Sequence, residues 1–371
     1  MKKSFIIIVL VVIVYIIWSK TGRKEVEVGK YNSIAHYTEF KKDSSTSNIV
    51  GIQPFMTNFD YQSEDIFYKK MNFYMKEAQK KGWFHKNTTV VFPEHIASWL
   101  VAANEKSSVY TSTKIDDALI YVVLANLPEY LKNYFMSGAS DKATAAAFQM
   151  KGKEMAEIYH SVYSKLAKNY KVNIVAGSIF LPNPSVKYGQ LIVEKGPIYN
   201  ITALFKSNGE IEPNLIKKKY PINTELPFCV KNEESLPTFN TTSGNLGVVI
   251  CADAWHGDIY EEMDQNKVST FIAPSYSTGE NIWSTKWEGY NGSENPVEVD
   301  LTDINNITLE EAWHKYTLKR IKDMDIQTGI TVFLRGEIWD LGTDGNSFIF
   351  RNDSIQSVPK TNMPVIFNVE I

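Results

Sequence analysis

Cysteine is scarce in this chain, with only Cys229 and Cys251 among 371 residues. Two cysteines exclude a disulfide scaffold, and no Cys/His spacing suits a structural zinc. An excess of basic charge is also missing, since 39 Lys and Arg face 42 Asp and Glu and leave a net charge of −3. A chain with this charge balance lacks the excess of basic side chains that binds the phosphates of nucleic acid. We therefore expect no metal, no other cofactor and no nucleic-acid partner.

The one long apolar run lies at the start of the chain, from Phe5 to Trp18. As a helix it is roughly 21 Å long, against a hydrocarbon core of about 30 Å, so its length suits a signal peptide as well as an anchor. Trp18, the flanking lysines and a poor cleavage site favour a retained single-pass membrane anchor over residues 1–24. The flanking charges leave orientation open. We expect the folded part outside the cytoplasm, with secretion after cleavage as the alternative.

The remaining sequence indicates a polar stalk followed by one domain. Residues 25–47 are polar and rich in Ser, Thr and Asn towards their end, which is typical of a connector. From residue 48 to 371, short β-branched runs alternate with stretches of helical spacing, the longest over 141–170. This alternation predicts an α/β fold. The domain is large for one core, but its length suits two sheets.

Two segments in the second half carry their own expectations. Residues 278–306 are rich in Gly, Asn, Ser and Trp, which favours a loop able to form a substrate lid. Thr308-Leu-Glu-Glu311 is a capping box, and it predicts a helix running to about Gln327. Ile330–Leu334 and Ser347–Phe350 predict a closing hairpin.

The stretch Gly247-Val-Val-Ile-Cys251-Ala-Asp253 places a thiol at the end of an apolar, β-branched run. Such a run is typical of a buried parallel strand, and α/β folds present their chemistry at the carboxyl ends of these strands. Free cysteine is, however, more often a small buried hydrophobe. Taken alone, the segment therefore favours core packing over catalysis.

Two other segments offer groups that would complement a thiol. Glu94 follows the predicted strand Thr89–Phe92 and a proline, although an acid there also suits a helix N-terminus. Lys218 lies in the middle of Lys217-Lys-Lys219, which by itself is typical of a solvated face. Neither segment decides the function alone.

Taken in order, these segments resemble the nitrilase superfamily, the carbon–nitrogen hydrolases, from about residue 48 to 355. The family's strand followed by Phe-Pro-Glu is similar to Val90–Glu94. Its Lys-x-x-Pro-x-x-Thr-Glu is similar to Lys218–Glu225, and its Gly-x-x-Ile-Cys-x-Asp/Glu to Gly247–Asp253. The resemblance implies an α-β-β-α sandwich, often paired through its sheets into a homo-oligomer, and closest to the amidase-like branch.

The resemblance also implies roles for individual residues. Cys251 would attack a carbon–nitrogen bond and carry a thioester, Glu94 would act as base and then acid, and Lys218 would stabilise the oxyanion. It further implies supporting positions for Glu225, Asp253 and Asn200. Weaker similarities to the family occur at four further places in the chain. They are Gln53, Gly177-Ser178, Ile198–Thr202 and Gly345-x-Ser347.

The leading hypothesis is a membrane-tethered amidase that converts a small-molecule amide to a carboxylate plus ammonia or amine. The alternatives are an N-acyltransferase that passes the acyl group to an amine, a nitrile hydrolase, and a catalytically silent binding protein. A Cys229–Cys251 disulfide would abolish the nucleophile and is a further point to check.

Overall fold

The computed structural model describes residues 2–27, 35–242 and 244–371. Two β-sheets pack face to face in these residues, and helices cover both outer sides, which gives the α-β-β-α sandwich expected from the sequence. The α-helices are α1 (Lys2–Lys20), α2 (Glu64–Lys80), α3 (Ser107–Thr111), α4 (Ile115–Ala125), α5 (Leu127–Met136), α6 (Lys142–Tyr170), α7 (Gly257–Gln265) and α8 (Leu309–Tyr316).

The strands are short except for one long pair, β5 and β6. They are β1 (His36–Phe40), β2 (Asn48–Gln53), β3 (Phe55–Thr57), β4 (Thr88–Val91), β5 (Asn173–Lys187), β6 (Gln190–Phe205), β7 (Ile216–Lys217), β8 (Thr238–Thr241), β9 (Gly244–Val248), β10 (Thr270–Ser275), β11 (Thr328–Phe333), β12 (Arg335–Ile338), β13 (Leu341–Thr343), β14 (Phe348–Arg351), β15 (Ser354–Ser357) and β16 (Val365–Glu370).

The strands form three sheets among the described residues. The large sheet runs β1-β16-β2-β4-β5-β6-β7, and the second runs β15-β14-β11-β10-β9-β8. A small sheet, β13-β12-β3, lies beside them. In the centres of the two main sheets, β2, β4 and β5 are parallel, as are β9, β10 and β11. Their carboxyl ends therefore meet at the edges where side chains of the candidate site emerge.

The central strands are buried on both faces, which explains their continuous apolar sequence. Neighbouring residues of a strand enter different cores because side chains alternate. Val90 joins the core beneath α2 and α6, whereas Val91 joins the core shared with the second sheet. On the other side, Tyr260 of α7 stacks on Phe271 of β10 with ring centroids 4.5 Å apart. Burying each such side chain contributes roughly 1.5–3 kcal/mol.

The stalk expectation needs a correction. Residues 28–34 of that segment lie outside the described residues. His36–Phe40, however, form β1, which pairs in parallel with β16 at the edge of the large sheet. The expectation of a connector is therefore wrong for these residues, because β16 offers an edge to which their backbone can bond. Phe40 of β1 is buried against Phe367 of β16.

Two predictions in the second half also change. The capping box at Thr308 is present, but α8 ends at Tyr316 and not near Gln327. Thr317 leaves the helical region at φ −110° and ψ −111°, and its hydroxyl donates to the carbonyl of Trp313. A 3-10 helix, Leu318–Asp323, follows. The predicted closing strands do pair, as β11 with β14, but β12 and β13 of the small sheet lie between them.

Helix α1 is apolar and projects from the body with its side chains mostly exposed. Of the described helices it alone, over Lys3–Lys20, is long and apolar enough to cross a membrane. Its carboxyl end is fixed to the body. Arg23 pairs with Glu105 at 2.9 Å and donates to the Asn104 carbonyl at 2.7 Å.

Candidate active site

Glu94 is placed by a tight loop that follows β4. The next residue, His95, has a positive φ of 56°, and its N–H donates to the Ser178 hydroxyl at 2.9 Å. Gly177 lies against the same loop at φ 67°, where a Cβ would lie only 2.2 Å from the Pro93 carbonyl oxygen. Only glycine fits there. The Gly177-Ser178 similarity noted in the sequence is therefore the support that holds Glu94 in place.

Lys218 follows the short edge strand β7 and points into the sandwich. Its backbone N–H donates to the Asn200 carbonyl at 2.9 Å, which fixes the direction of the side chain. The neighbouring lysines point elsewhere: Lys217 lies over the ring of Tyr199, and Lys219 pairs with Glu262 at 2.8 Å. Lys218 is 1% exposed, whereas a solvated lysine face had been the alternative.

Four buried polar side chains meet at this point. The Lys218 ammonium lies 2.8 Å from Glu94 Oε1 and 2.7 Å from Glu225 Oε2. The Asn200 amide nitrogen donates to both carboxylates, at 3.0 Å to Glu94 and 2.9 Å to Glu225. One cation thus faces two acids inside the protein, and amide hydrogen bonds complete the charge compensation.

Cys251 comes to this cluster from the second sheet. It begins a 3-10 helix, Cys251–Trp255, directly after the apolar run that contains β9. Its φ is 46°, a conformation that non-glycine residues adopt rarely and that proteins retain mostly at functional sites. The side chain is 7% exposed, and the thiol donates to the Tyr276 carbonyl at 3.4 Å.

Asp253 connects the Cys251 turn to the Lys218 segment. One carboxylate oxygen accepts the backbone N–H groups of Lys219, at 2.9 Å, and Tyr220, at 2.8 Å. The other oxygen accepts the N–H of Ile250 at 3.1 Å. Asp253 therefore ties the backbone of the Cys251 turn to that of the Lys218 segment.

The charges set the protonation states in the cluster. Burial raises the pKa of the Cys251 thiol well above its usual range, and the Glu94 carboxylate raises it further, against the opposite effect of Lys218. Burial also acts to raise the pKa of Glu225, but the Lys218 charge and the hydrogen bonds from Lys218 and Ile222 help to leave that pKa lowered. Despite burial, the two acids hold the pKa of Lys218 well above its usual range. These directions give a neutral Cys251 thiol beside the Lys218 ammonium and the ionised Glu225.

His95 belongs to the site, although the sequence reasoning passed over it. Its Nε2 lies 3.6 Å from Glu225 and 3.8 Å from Glu94, and its Nδ1 lies 3.0 Å from the Ser98 hydroxyl. Burial lowers its pKa despite the two acids, so the ring is neutral at neutral pH. In the sequence, the only indication of His95 as a site residue is its position directly after Glu94.

Glu94, His95 and Glu225 have ligand atoms within 4.8 Å of one another, which is close enough for a metal. The Lys218 ammonium already lies between the two carboxylates, so a cation is present without a metal. This donor set therefore fits an ion pair better than a metal centre.

An aromatic wall leads away from the cluster. His95 contacts Phe180 at a centroid distance of 4.9 Å and Tyr276 at 5.5 Å. Phe180 continues to Phe228 at 5.0 Å and to Phe148 at 5.1 Å. These five residues come from five different segments, so no local sequence pattern predicts them. The wall gives the site an apolar side.

Other residues noted in the sequence lie outside the site. Gln53, at the end of β2, accepts from both the N–H and the hydroxyl of Ser347 at 2.7 Å, and so ties the two main sheets together. In the expected lid, Trp283 and Trp287 are buried against Trp255 and Trp313. These tryptophans are part of the core on the side of the second sheet.

Solved structures show the same arrangement of sheets and helices. An amidase of the nitrilase superfamily from Nesterenkonia AN1 aligns with a TM-score of 0.53 at 12% identity, over 88% of this chain and 92% of that one. The fold is that of the nitrilase-superfamily amidases. A second structure of the Nesterenkonia enzyme aligns with a TM-score of 0.52 at 12% identity, over 90% and 92% of the two chains. It shows the acetamide moiety of fluoroacetamide added covalently to that enzyme's active-site cysteine.

Sequence comparison gives a shorter match. A probable hydrolase, YhcX, from Bacillus subtilis strain 168 is 30% identical over 133 residues, which are 35% of this chain and 23% of that protein. No family model matches the chain. The nitrilase-like fold therefore rests on structure, and the chemistry has to be argued from the site itself.

Proposed function

We propose that this chain hydrolyses non-peptide carbon–nitrogen bonds of amides through a thioester on Cys251. The observation that carries the proposal is the buried ion-pair cluster of Glu94, Lys218 and Glu225 next to a cysteine held at a positive φ. Burying three charges and holding a cysteine at a positive φ both cost stability. A catalytic role would explain why the protein retains them.

The charges assign the proton transfers. The pKa of Glu225 is lowered, and this residue also accepts the Ile222 N–H at 2.9 Å, so it stays ionised. Glu94 is then the carboxylate that takes the thiol proton as Cys251 attacks the amide carbon. Lys218 remains protonated and stabilises the oxyanion of the tetrahedral intermediate. As the intermediate collapses, the carbon–nitrogen bond breaks and Glu94 gives its proton to the departing amine.

The second half reverses these roles. Water gives a proton to Glu94 and attacks the thioester carbon, which releases the carboxylic acid and returns the proton to the sulfur. The net reaction consumes one water and yields an acid and an amine. An acyltransferase would follow the same first half and admit an amine in place of water.

A membrane tether belongs to the same proposal. Helix α1 is bound to the body by more than its chain connection, since Lys106 lies over the Trp18 ring and donates to the Thr21 carbonyl at 2.6 Å. A leader that is removed has no need of such contacts. They support a retained single-pass anchor.

The test is to capture the acyl-enzyme from a mixed amide library and locate it by mass spectrometry. An added acyl mass on Cys251 that disappears in water supports hydrolysis. Product formation that requires an added amine would replace hydrolysis with acyl transfer. An acyl mass on Cys229, or on neither cysteine, would contradict the proposal.

A further inference from the structure

Helix α4 is apolar on every side. From Ala118 to Ala125 it contains no polar side chain except the Tyr121 hydroxyl. Its inner face is buried against a small core that includes Val109 and Tyr110. Its outer face nevertheless leaves Ile120 and Leu124 exposed. A helix that is apolar all round is normally covered on all sides.

Helix α5 continues this exposed surface. Phe135 is 77% exposed and Met136 is 63% exposed, and Leu131 is exposed on the same helix. Single exposed apolar residues are ordinary, but a contiguous group on adjacent helices marks an interaction surface. We call the outer faces of α4 and α5 the apolar platform; its six exposed residues are Ile120, Tyr121, Leu124, Leu131, Phe135 and Met136.

The apolar platform touches the helix proposed to cross the membrane. The Tyr15 hydroxyl of α1 donates to the Leu124 carbonyl at 3.2 Å and accepts the Leu127 N–H at 3.1 Å. These bonds fall where α4 ends and α5 begins. The platform and α1 are therefore fixed to each other, and any bilayer that holds α1 lies against the platform.

The position of the contact along α1 gives a depth. Tyr15 lies five residues before Lys20, the last residue of the helix, and therefore about 7.5 Å along its axis. Helices that lie in a membrane interface bury their apolar faces by about 5–10 Å. The two values agree. Tyr15 and Trp18 are also the aromatic types that favour this interfacial level.

We propose that the apolar platform of α4 and α5 is embedded in the lipid interface beside α1, so that the protein contacts the bilayer at two places. This inference rests on the membrane tether of the proposed function but not on its chemistry. Polar residues border the platform: Asp116 and Asp117 begin α4, and Glu129 pairs with Lys132 at 3.0 Å on α5. Such a border is typical of an element that lies in an interface and does not cross it.

The experiment uses the full-length chain in phosphatidylcholine vesicles and a photoactivated diazirine probe that partitions into lipid. Mass spectrometry then maps the labelled residues. We expect labelling of α4 and α5 several-fold above that of Val297 and Leu301, which are also apolar and exposed but lie on another part of the chain. Labelling of α4 and α5 no greater than at these two residues would overturn the proposal, as would crosslinks between copies of the chain through the platform.

A matched pair of variants sharpens the result. Leu124→Asp is expected to lower labelling of the Phe135 and Met136 region several-fold while labelling of α1 persists, and Val297→Asp is expected to change neither. An unfolding curve recorded in detergent checks whether both variants fold. Since labelling needs no turnover, an inactive protein with a labelled platform would count only against hydrolysis. An active protein with an unlabelled platform would count only against this inference.

Discussion

The two cysteines of this chain have nearly the same burial and lie near the same charged cluster, but only Cys251 has a positive φ and a thiol whose hydrogen bond with Glu94 raises its pKa. Cys229 is 2% exposed and Cys251 is 7% exposed, and both are free thiols. The structure therefore shows no disulfide between Cys229 and Cys251. The Cys229 thiol lies 3.7 Å from the Val230 carbonyl, and burial, followed by the Glu225 carboxylate, raises its pKa.

Cys251 differs by its backbone and by what faces it. Its φ of 46° turns the sulfur out of the strand direction, towards Glu94 and Lys218 from the other sheet. Burial alone makes a thiol inert, and it raises the pKa of both cysteines. From this comparison we predict that the reactivity of Cys251 depends on a base positioned to remove the proton when the substrate arrives, and not on a thiol already ionised.

Replacing each cysteine by alanine gives the largest contrast. Cys251→Ala should lower turnover of an amide identified in the library by at least about 10⁴-fold, the order seen when one member of a catalytic unit is removed. Cys229→Ala should leave turnover within a few-fold of the parent, because the proposed base, Glu94, is hydrogen-bonded to the Cys251 thiol. Steady-state kinetics on both variants provides the test. Equal losses would remove the distinction between the two thiols.

Glu94→Gln removes both the proposed base and its negative charge, and two different measurements separate these effects. Turnover should fall by about 10²–10⁴-fold, the usual contribution of general acid–base catalysis. The same change removes a negative charge that raises the pKa of Cys251, so that pKa should fall. Iodoacetamide alkylation of Cys251, followed against pH by mass spectrometry, should then begin at lower pH than in the parent. The profile of Cys229 should shift less, because Glu94 is the smallest of the causes that act on its pKa, and an unchanged profile at Cys251 would contradict this electrostatic account.

Asp253→Asn tests the support beneath Cys251. An amide has one acceptor atom and one donor atom, so the variant loses at least one of the three backbone hydrogen bonds, at a cost of about 1–3 kcal/mol in unfolding free energy. Lower activity should accompany this loss, because the Cys251 and Lys218 segments are no longer tied.

The same variant has a pH signature. Burial raises the pKa of Asp253 to about 7 in the folded state, against about 3.9 in an unfolded chain. Between these values the folded protein holds a proton that the unfolded chain has lost, so the contribution of Asp253 to stability falls as pH rises through the window. Urea unfolding across this window should show a smaller decline in Asp253→Asn than in the parent. Parallel curves would contradict the assignment.

Cys229→Ala should give the smallest effect. Removing a buried sulfur leaves a small cavity, so the unfolding free energy should fall by about 1 kcal/mol. Urea unfolding measures it directly. A loss far above this value would mean that Cys229 has a structural role beyond packing.

Much of the site follows from local sequence because its parts lie at strand ends. Glu94 and Cys251 each follow a short β-branched run at the carboxyl end of a parallel strand, one in each main sheet, and α/β folds present their functional side chains at such ends. Lys218 could be chosen over its neighbours only through its spacing to Pro221 and Glu225, and the structure points Lys218 alone into the cluster. The catalytic roles of these residues remain predictions until the variants are measured.

The parts that escaped sequence reasoning depend on contacts between distant segments. The aromatic wall combines Phe148, Phe180 and Phe228, which share no periodicity. The Trp-rich segment was interpreted as a lid because it lacks regular structure, whereas its burial depends on α8 packing against it. Strand β1 was missed because its pairing partner, β16, lies more than three hundred residues away.

The sandwich divides the proposed reaction between two sheets. Glu94, Asn200 and Lys218 belong to the large sheet, and Cys251 belongs to the second, so the distance between nucleophile and base depends on how the sheets are seated. A misplacement of about 1 Å between reacting groups can cost about 10²-fold in rate. A small shear of one sheet over the other would therefore silence the protein while every strand stayed folded. The hydrogen bonds of Gln53 with Ser347, and of Asp253 with the Lys219 backbone, connect the two sheets and oppose such a shear.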